Sequence, residues 1–146
     1  MGQPAVAFYV LTTDSREARL RLACRITDKA WKAGNSVLIL HQDPAELRQL
    51  DDLLWTEGGD LAFLPHEIEA DVPVTGVPVV LRTAAAASRP VDVIINLRDD
   101  IPGELALATR VVEIIDAEPA RRESGRTRFK AYRELGIAPD THHIGA

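Results

Sequence analysis

Residues 5–11, AVAFYVL, are a short apolar run rich in residues that favour β-strands. A run of this length without polar alternation predicts a strand buried on both faces, as in a parallel sheet. Apolar residues then recur every three or four positions from Leu20 to Trp31, which predicts an amphipathic helix. A second buried strand is predicted at 36–41, SVLILH. The chain thus starts as strand, helix, strand.

The same alternation continues downstream. A second helix is predicted after the Asp-Pro pair at 43–44. Further strands are predicted where β-branched residues cluster, at 77–81, 91–97 and 111–115, although 103–115 also suits one helix. Strands that alternate with helices favour parallel pairing through right-handed crossovers. We therefore expect one domain over 1–146, a three-layer α/β/α fold with a mostly parallel, twisted sheet and a flexible tail at 138–146.

The composition of the chain limits the classes of protein to which it can belong. The chain has 146 residues, of which 46% are hydrophobic and 27% are charged, as in ordinary soluble globular proteins. No run approaches the roughly 20 apolar residues of a membrane helix, and the N-terminus lacks the pattern of a secretory signal. The single cysteine, Cys24, excludes an internal disulfide. It suits the reducing cytoplasm, where we expect the protein.

The turn after the first strand, TTDS at 12–15, argues against a nucleotide site. It contains neither G-x-G-x-x-G nor a P-loop, and Asp14 puts negative charge where a phosphate would lie. We therefore expect a Rossmann-like fold without a nucleotide-binding loop. One alternative stays open, a small α/β enzyme or nucleotide-binding protein with its site near Thr12, Asp14, His41 and Asp43.

Other signs of catalysis are weak. The sequence contains no H-E-x-x-H, C-x-x-C or G-x-S-x-G. Cys24 lies on the inward stripe of the first helix, which favours packing over reactivity. His142 and His143 are adjacent in the predicted tail and make a weak metal site as a pair. A binding protein without cofactor, metal or catalytic residues is the favoured interpretation.

A basic helix is predicted at 119–136, PARRESGRTRFKAYRELG, between a proline and a glycine. From 118 to 134 there are six basic and three acidic residues, a local net of +3 in a chain of net charge −5. At helical spacing one face holds Arg122, Arg126, Phe129, Lys130 and Arg133. Such a face suits an acidic partner that also brings an apolar group.

Two other interpretations of this helix are possible. The charge pattern alone favours a solvated surface helix whose Phe129 and Tyr132 are half-buried in the core. Direct binding of nucleic acid is a weaker possibility, because one cationic face with one ring is a small platform. Gly125 should weaken the helix by about 1 kcal/mol relative to alanine, which predicts a late start near Ser124.

Four segments, in this order, resemble the chi subunit of bacterial DNA polymerase III. They are AFYVL with AWKAGNSVLIL, then LDDLLWTEGGDLAFLPH, PVDVIINLRDD and RTRFKAYRELG. The resemblance implies a non-catalytic accessory subunit of a DNA-directed DNA polymerase complex in DNA replication. It implies an adaptor between the clamp loader, reached through the psi subunit, and the acidic C-terminal tail of single-stranded DNA-binding protein. A monomer or a heterodimer with psi, without tight nucleic-acid binding, would follow.

The same resemblance places the tail-binding positions on the basic helix. Phe129 would form part of a pocket for the phenylalanine that ends the tail, and Arg126 or Lys130 would hold its carboxylate. Arg122 and Arg133 would attract the acidic residues upstream.

The psi-facing surface corresponds by resemblance to Trp55 and Phe63, with Pro65 and His66 beside them. Aromatic residues are common anchors of protein interfaces. Simple core packing is the alternative for Trp55.

Overall fold

A computed structural model describes residues 3–56, 66–68, 79–87 and 89–144. The helices are α1 (Arg16–Lys32), α2 (Pro44–Thr56) and α3 (Pro119–Glu134). The strands are β1 (Ala5–Leu11), β2 (Val37–Leu40), β3 (His66–Ile68), β4 (Val79–Arg82), β5 (Val91–Asn96), β6 (Ala108–Ile115) and β7 (Asp140–Ile144). Within the described residues, no helix combines the length and apolarity needed to cross a membrane.

The strands form one sheet in the order β3-β4-β2-β5-β6-β1-β7, and each neighbouring pair is parallel. The predicted parallel α/β sheet is confirmed. The strand prediction at 111–115 is also confirmed, and the alternative of one helix over 103–115 is wrong. β6 lies between β5 and β1, where its valine and isoleucine residues are buried.

Two apolar clusters lie on the two faces of the sheet. On one face, α1 and α2 contribute residues such as Leu20 and Leu50. On the other face, Tyr132 and Phe129 of α3 pack with Phe8 of β1. The arrangement has three layers, α/β/α, as predicted. Cys24 is buried in the first cluster, in agreement with a packing role.

β7 lies where the sequence predicted a flexible tail at 138–146, and for residues 140–144 that prediction is wrong. Its residues pair with β1 from Ala7↔Asp140 to Leu11↔Ile144. The ring of His142 stacks on Tyr9 with the centroids 5.0 Å apart. A short edge strand with exposed side chains has no apolar pattern, so its sequence resembles a tail. Neighbouring strand residues point to opposite faces, so His142 and His143 diverge and cannot share a metal ion.

α3 begins at Pro119, so the predicted late start near Ser124 is wrong. The Glu118 side chain accepts a hydrogen bond from the Arg121 amide at 2.8 Å and caps the helix. Gly125 is buried against β6, and a Cβ atom there would collide with Cδ1 of Ile115. The glycine therefore lets the helix approach the sheet closely, and this packing outweighs its low helix propensity.

We expect Gly125→Ala to destabilise the protein by about 1–3 kcal/mol, because the added methyl group overpacks the contact with Ile115. Urea unfolding measures the change. In an Ile115→Val background, which lacks Cδ1, the same substitution should be less harmful. Glu123→Ala, on the exposed side of α3, is the control and should change the free energy of unfolding by less than about 0.5 kcal/mol. A more stable Gly125→Ala variant would contradict the close approach.

Candidate functional site

A cavity of about 210 Å³ opens between α3 and the strands β1, β6 and β7. It is lined by Phe8 and Val10 from β1, Ile115 from β6, Thr141 from β7, and Arg122, Gly125, Arg126 and Phe129 from α3. Among these described lining residues, the two arginines are the only ionisable ones. An apolar cavity with cations at its side suits an apolar group that bears a negative charge.

The ring of Phe129 packs against the ring of Phe8. Its centroid lies 5.3 Å from that of Phe8, and the two planes are tilted by 56°. Phe8 also meets Tyr132 edge-on, at 5.9 Å and 81°. Tilted and edge-on pairs of this kind are favourable contacts between aromatic quadrupoles. Phe129 is half-buried, and it presents part of its ring to the cavity while the rest is fixed against the core.

The two arginines of the cavity differ in their surroundings. Arg126 is exposed, and its Nη1 lies 3.4 Å from an oxygen of Glu123, whose side chain is also exposed. An ion pair so open to solvent contributes little and leaves Arg126 available. The Nε of Arg122 is buried and has no hydrogen-bond acceptor among the described residues. A buried donor of this kind is stabilised by any acceptor that reaches it, and a carboxylate would be a strong one.

Lys130 and Arg133 are exposed on α3 but do not line the cavity. The structure therefore brings together three of the five residues predicted for the tail site, Arg122, Arg126 and Phe129. The other two lie on the exposed surface of the same helix.

Two further arginines of α3 pair with buried carboxylates. Arg128 is 3% exposed, and its Nε donates a hydrogen bond of 3.0 Å to Glu113 on β6. Arg121 forms a bidentate pair with Asp116, both bonds being 2.7 Å long. Burial acts to raise the pKa of Asp116, but the hydrogen bonds and charge of Arg121 outweigh it and hold that pKa below its ordinary value.

The carboxylate of Glu113 is the centre of a buried polar network. Besides Arg128, the hydroxyl of Tyr132 donates to it at 2.6 Å and the side-chain amide of Asn96 at 2.9 Å. Burial raises the pKa of Glu113, and the charge of Arg128 together with these hydrogen bonds only partly opposes that rise. The network joins α3 to the sheet, and Phe129 lies between its two α3 members.

The residues of the alternative enzyme site have local roles. His41 is buried, and its Nδ1 accepts a hydrogen bond of 3.0 Å from the Asp43 amide, while its Nε2 lies 3.3 Å from Glu46. Burial lowers the pKa of His41, although Glu46 opposes this effect. The Asp43 carboxylate caps the first turn of α2. Thr12 and Asp14 are exposed. His41 and Asp43 thus serve the start of α2.

Two of the four residues predicted for the psi-facing surface belong to described elements. Trp55 belongs to α2 and His66 begins β3, and their side chains are outside the described part of the structure. Phe63 and Pro65 lie outside the described residues. All four remain predictions.

Several residues of the cavity were not predictable from the sequence. Phe8 and Val10 lie two positions apart on β1, so period-two alternation would have put them on one face, but it does not say which helix covers that face. Gly125 was interpreted only as a helix breaker. Thr141 lies in the segment that was predicted to be a tail, and no pattern in that segment indicates a strand.

Comparison with known proteins finds a family model and relatives that carry the same description. A family model described as DNA polymerase III chi subunit, HolC, matches residues 4–140. The chain is 36% identical over 140 residues to the DNA polymerase III subunit chi of Pseudomonas aeruginosa, covering 95% of this chain and 96% of that relative. It is 31% identical over 139 residues to the subunit of the same name from Escherichia coli, covering 92% and 94%.

The buried network predicts a pH-dependent loss of stability in Arg128→Met. Removing the guanidinium leaves Glu113 buried and unpaired, so we expect a loss of about 3–5 kcal/mol near neutral pH. The pKa of Glu113 should rise further in the variant. A carboxyl group whose folded pKa is raised stabilises the fold below its unfolded pKa, and that stability is lost as pH rises through the folded pKa.

Urea unfolding at about pH 4.5 and pH 7 tests this expectation, and the deficit of the variant should be larger at pH 7. The double variant Arg128→Met with Glu113→Gln is the control, because it has no charge to bury and its deficit should not change with pH in this way. Equal deficits of Arg128→Met at both pH values would contradict the role given to Glu113.

Proposed function

The chain belongs to the DNA polymerase III chi subunit family, and from that membership we propose that it is a non-catalytic replication adaptor in the cytoplasm. It would link the clamp loader, through the psi subunit, to the acidic C-terminal tail of single-stranded DNA-binding protein. The observation that supports this most is the apolar cavity beside α3, with Phe129 in its wall and Arg122 and Arg126 beside it.

The cavity suits the end of such a tail, a proline followed by a terminal phenylalanine. Its volume of about 210 Å³ is of the order of one aromatic side chain. Phe8, Ile115 and Phe129 offer apolar and aromatic contacts to that ring. Full burial of a phenylalanine ring is worth about 1.5–3 kcal/mol.

The free carboxylate of the terminal residue would be held by the arginines of the cavity. Arg122 offers a buried Nε that lacks an acceptor among the described residues, and Arg126 offers an exposed guanidinium. Hydrogen bonds to charged groups contribute about 1.5–3 kcal/mol each, so loss of the carboxylate should weaken binding strongly. An amidated peptide would lack this contribution.

Lys130 and Arg133 lie outside the cavity lining, which suits contact with the acidic residues upstream of the tail's end. Exposed cations at the rim of an interface speed association and make it sensitive to salt. Their effect on affinity should be smaller than that of Arg122, Arg126 and Phe129.

The sheet order supports simultaneous binding of two partners. β7, which borders the cavity, lies at one edge of the sheet, and β3, which begins with His66, lies at the other edge. The proposed psi surface of Trp55, Phe63, Pro65 and His66 belongs to α2, β3 and the segment between them. A protein that holds its two partners at opposite edges can bridge them.

Calorimetric titration with a peptide ending in Asp-Asp-Ile-Pro-Phe tests the tail site. We expect a dissociation constant on the order of micromolar that rises with salt. Arg126→Ala and Phe129→Ala should each weaken binding at least tenfold, because they remove a charged contact and part of the cavity wall. Arg48→Ala, an exposed arginine on α2, is the matched control and should leave the affinity unchanged.

An amidated form of the same peptide should bind at least tenfold more weakly than the free acid. Absence of binding to the wild-type protein, or equal binding of both forms, would contradict the proposal. The role in psi binding is tested by co-purification with a psi subunit, which Trp55→Ala should weaken without change in the affinity for the tail peptide.

A further inference from the structure

We propose a second binding site, for single-stranded nucleic acid, on the face of the sheet opposite to the α3 cavity. The site is a groove of about 360 Å³ between α1 and the sheet. Its apolar floor includes Leu22, Ile26 and Val93, and its charged residues are Arg25, Lys29 and Arg110. This inference does not depend on the proposed function.

The cations of the groove are not neutralised by the protein. Arg25 and Lys29 are exposed and four positions apart on α1, so they share a face, and neither has an ion-pair partner among the described residues. Arg110 of β6 faces the same groove, and its Nη2 donates a hydrogen bond of 2.9 Å to the hydroxyl of Tyr9. A neutral phenol leaves the charge of Arg110 uncompensated. No acidic side chain is found among the described residues that line the groove.

One ring of a stacked pair lines the groove. Tyr9, which lines it, stacks on His142 with an angle of 28° between the planes. His142 is exposed on β7, the strand at the sheet edge. An exposed ring at the end of a stack is a surface on which an unpaired base can lie, as in proteins that bind single strands.

The combination favours a nucleic acid strand over an acidic peptide. Phosphates repeat along a strand and can meet cations that are spread over two elements, and two of the three cations are guanidinium groups, which form bidentate contacts with phosphate. Only a strand also brings a flat base at each step for the rings of Tyr9 and His142. Asp140, two residues before His142 on the same face of β7, and the net charge of −5 oppose binding. We therefore expect weak binding that depends on salt.

Fluorescence anisotropy of a labelled oligothymidylate of about 20 nucleotides is the test. With three phosphate contacts, the logarithm of the association constant should fall with the logarithm of salt concentration with a slope of about −2. Lys29→Glu should weaken binding at least fivefold and reduce the size of this slope by roughly 1. Arg48→Glu makes the same change in net charge on α2 and should weaken binding less than twofold.

His142→Ala should weaken binding, because it removes the exposed ring on which a base can stack. Circular dichroism and the urea midpoint of each variant establish that it is folded. The proposal is overturned if the oligonucleotide does not bind at low salt, or if Arg48→Glu is as harmful as Lys29→Glu. It is also overturned if Arg126→Ala abolishes binding of the oligonucleotide, because the strand would then lie on α3. Binding of an amidated acidic peptide in the groove, without binding of the oligonucleotide, would overturn it as well.

Discussion

The buried carboxylate of Glu113 is the interaction on which the position of α3 depends. A charge at that depth is tolerated only because Arg128, Tyr132 and Asn96 all donate hydrogen bonds to it. Two of these donors belong to α3 and the third to β5, so the contact fixes the helix at one place on the sheet. Gly125, less than one turn from Arg128, makes the same docking possible by steric means. The cavity is the space that remains between the fixed helix and the strands beneath it.

The docking of α3 separates its basic residues into two groups, those that pair with buried carboxylates and those that face solvent. The segment holds six basic residues, but Arg121 and Arg128 pair with the buried carboxylates of Asp116 and Glu113. The charge available to a ligand is therefore smaller and more localised than the count indicates. The same division explains why the arginines of α3 are not interchangeable, since some position the helix and others meet solvent.

Sequence reasoning predicted the elements that have strong local patterns. The apolar runs of β1, β2 and β5 predicted buried parallel strands, and the glycine at 136 predicted where α3 ends. β7 was missed because its stability comes from pairing with β1 and from the stack on Tyr9, neither of which is visible locally.

The site was predictable only in part. The spacing of Arg122, Arg126 and Phe129 placed them on one helical face, and the structure places all three at the cavity. The opposite wall of the cavity is formed by the strands that lie beneath the helix. Local sequence patterns do not indicate which strands these are, because that depends on the order of strands in the sheet. The buried role of Arg128 also depends on a partner on β6, and that partner is 15 positions away in sequence.

The sheet order also determines when the cavity can exist during synthesis and folding. β1 is made first, yet its neighbours in the sheet are β6 and β7, so Ala5 pairs with Arg110 and Ala7 with Asp140. Contacts between such distant segments close large loops and form slowly. The wall that Phe8 provides therefore stays incomplete until β6 and β7 have emerged from the ribosome. A nascent or truncated chain without β7 lacks one wall of the cavity, so ligand capture at this cavity reports that the sheet has closed on β1.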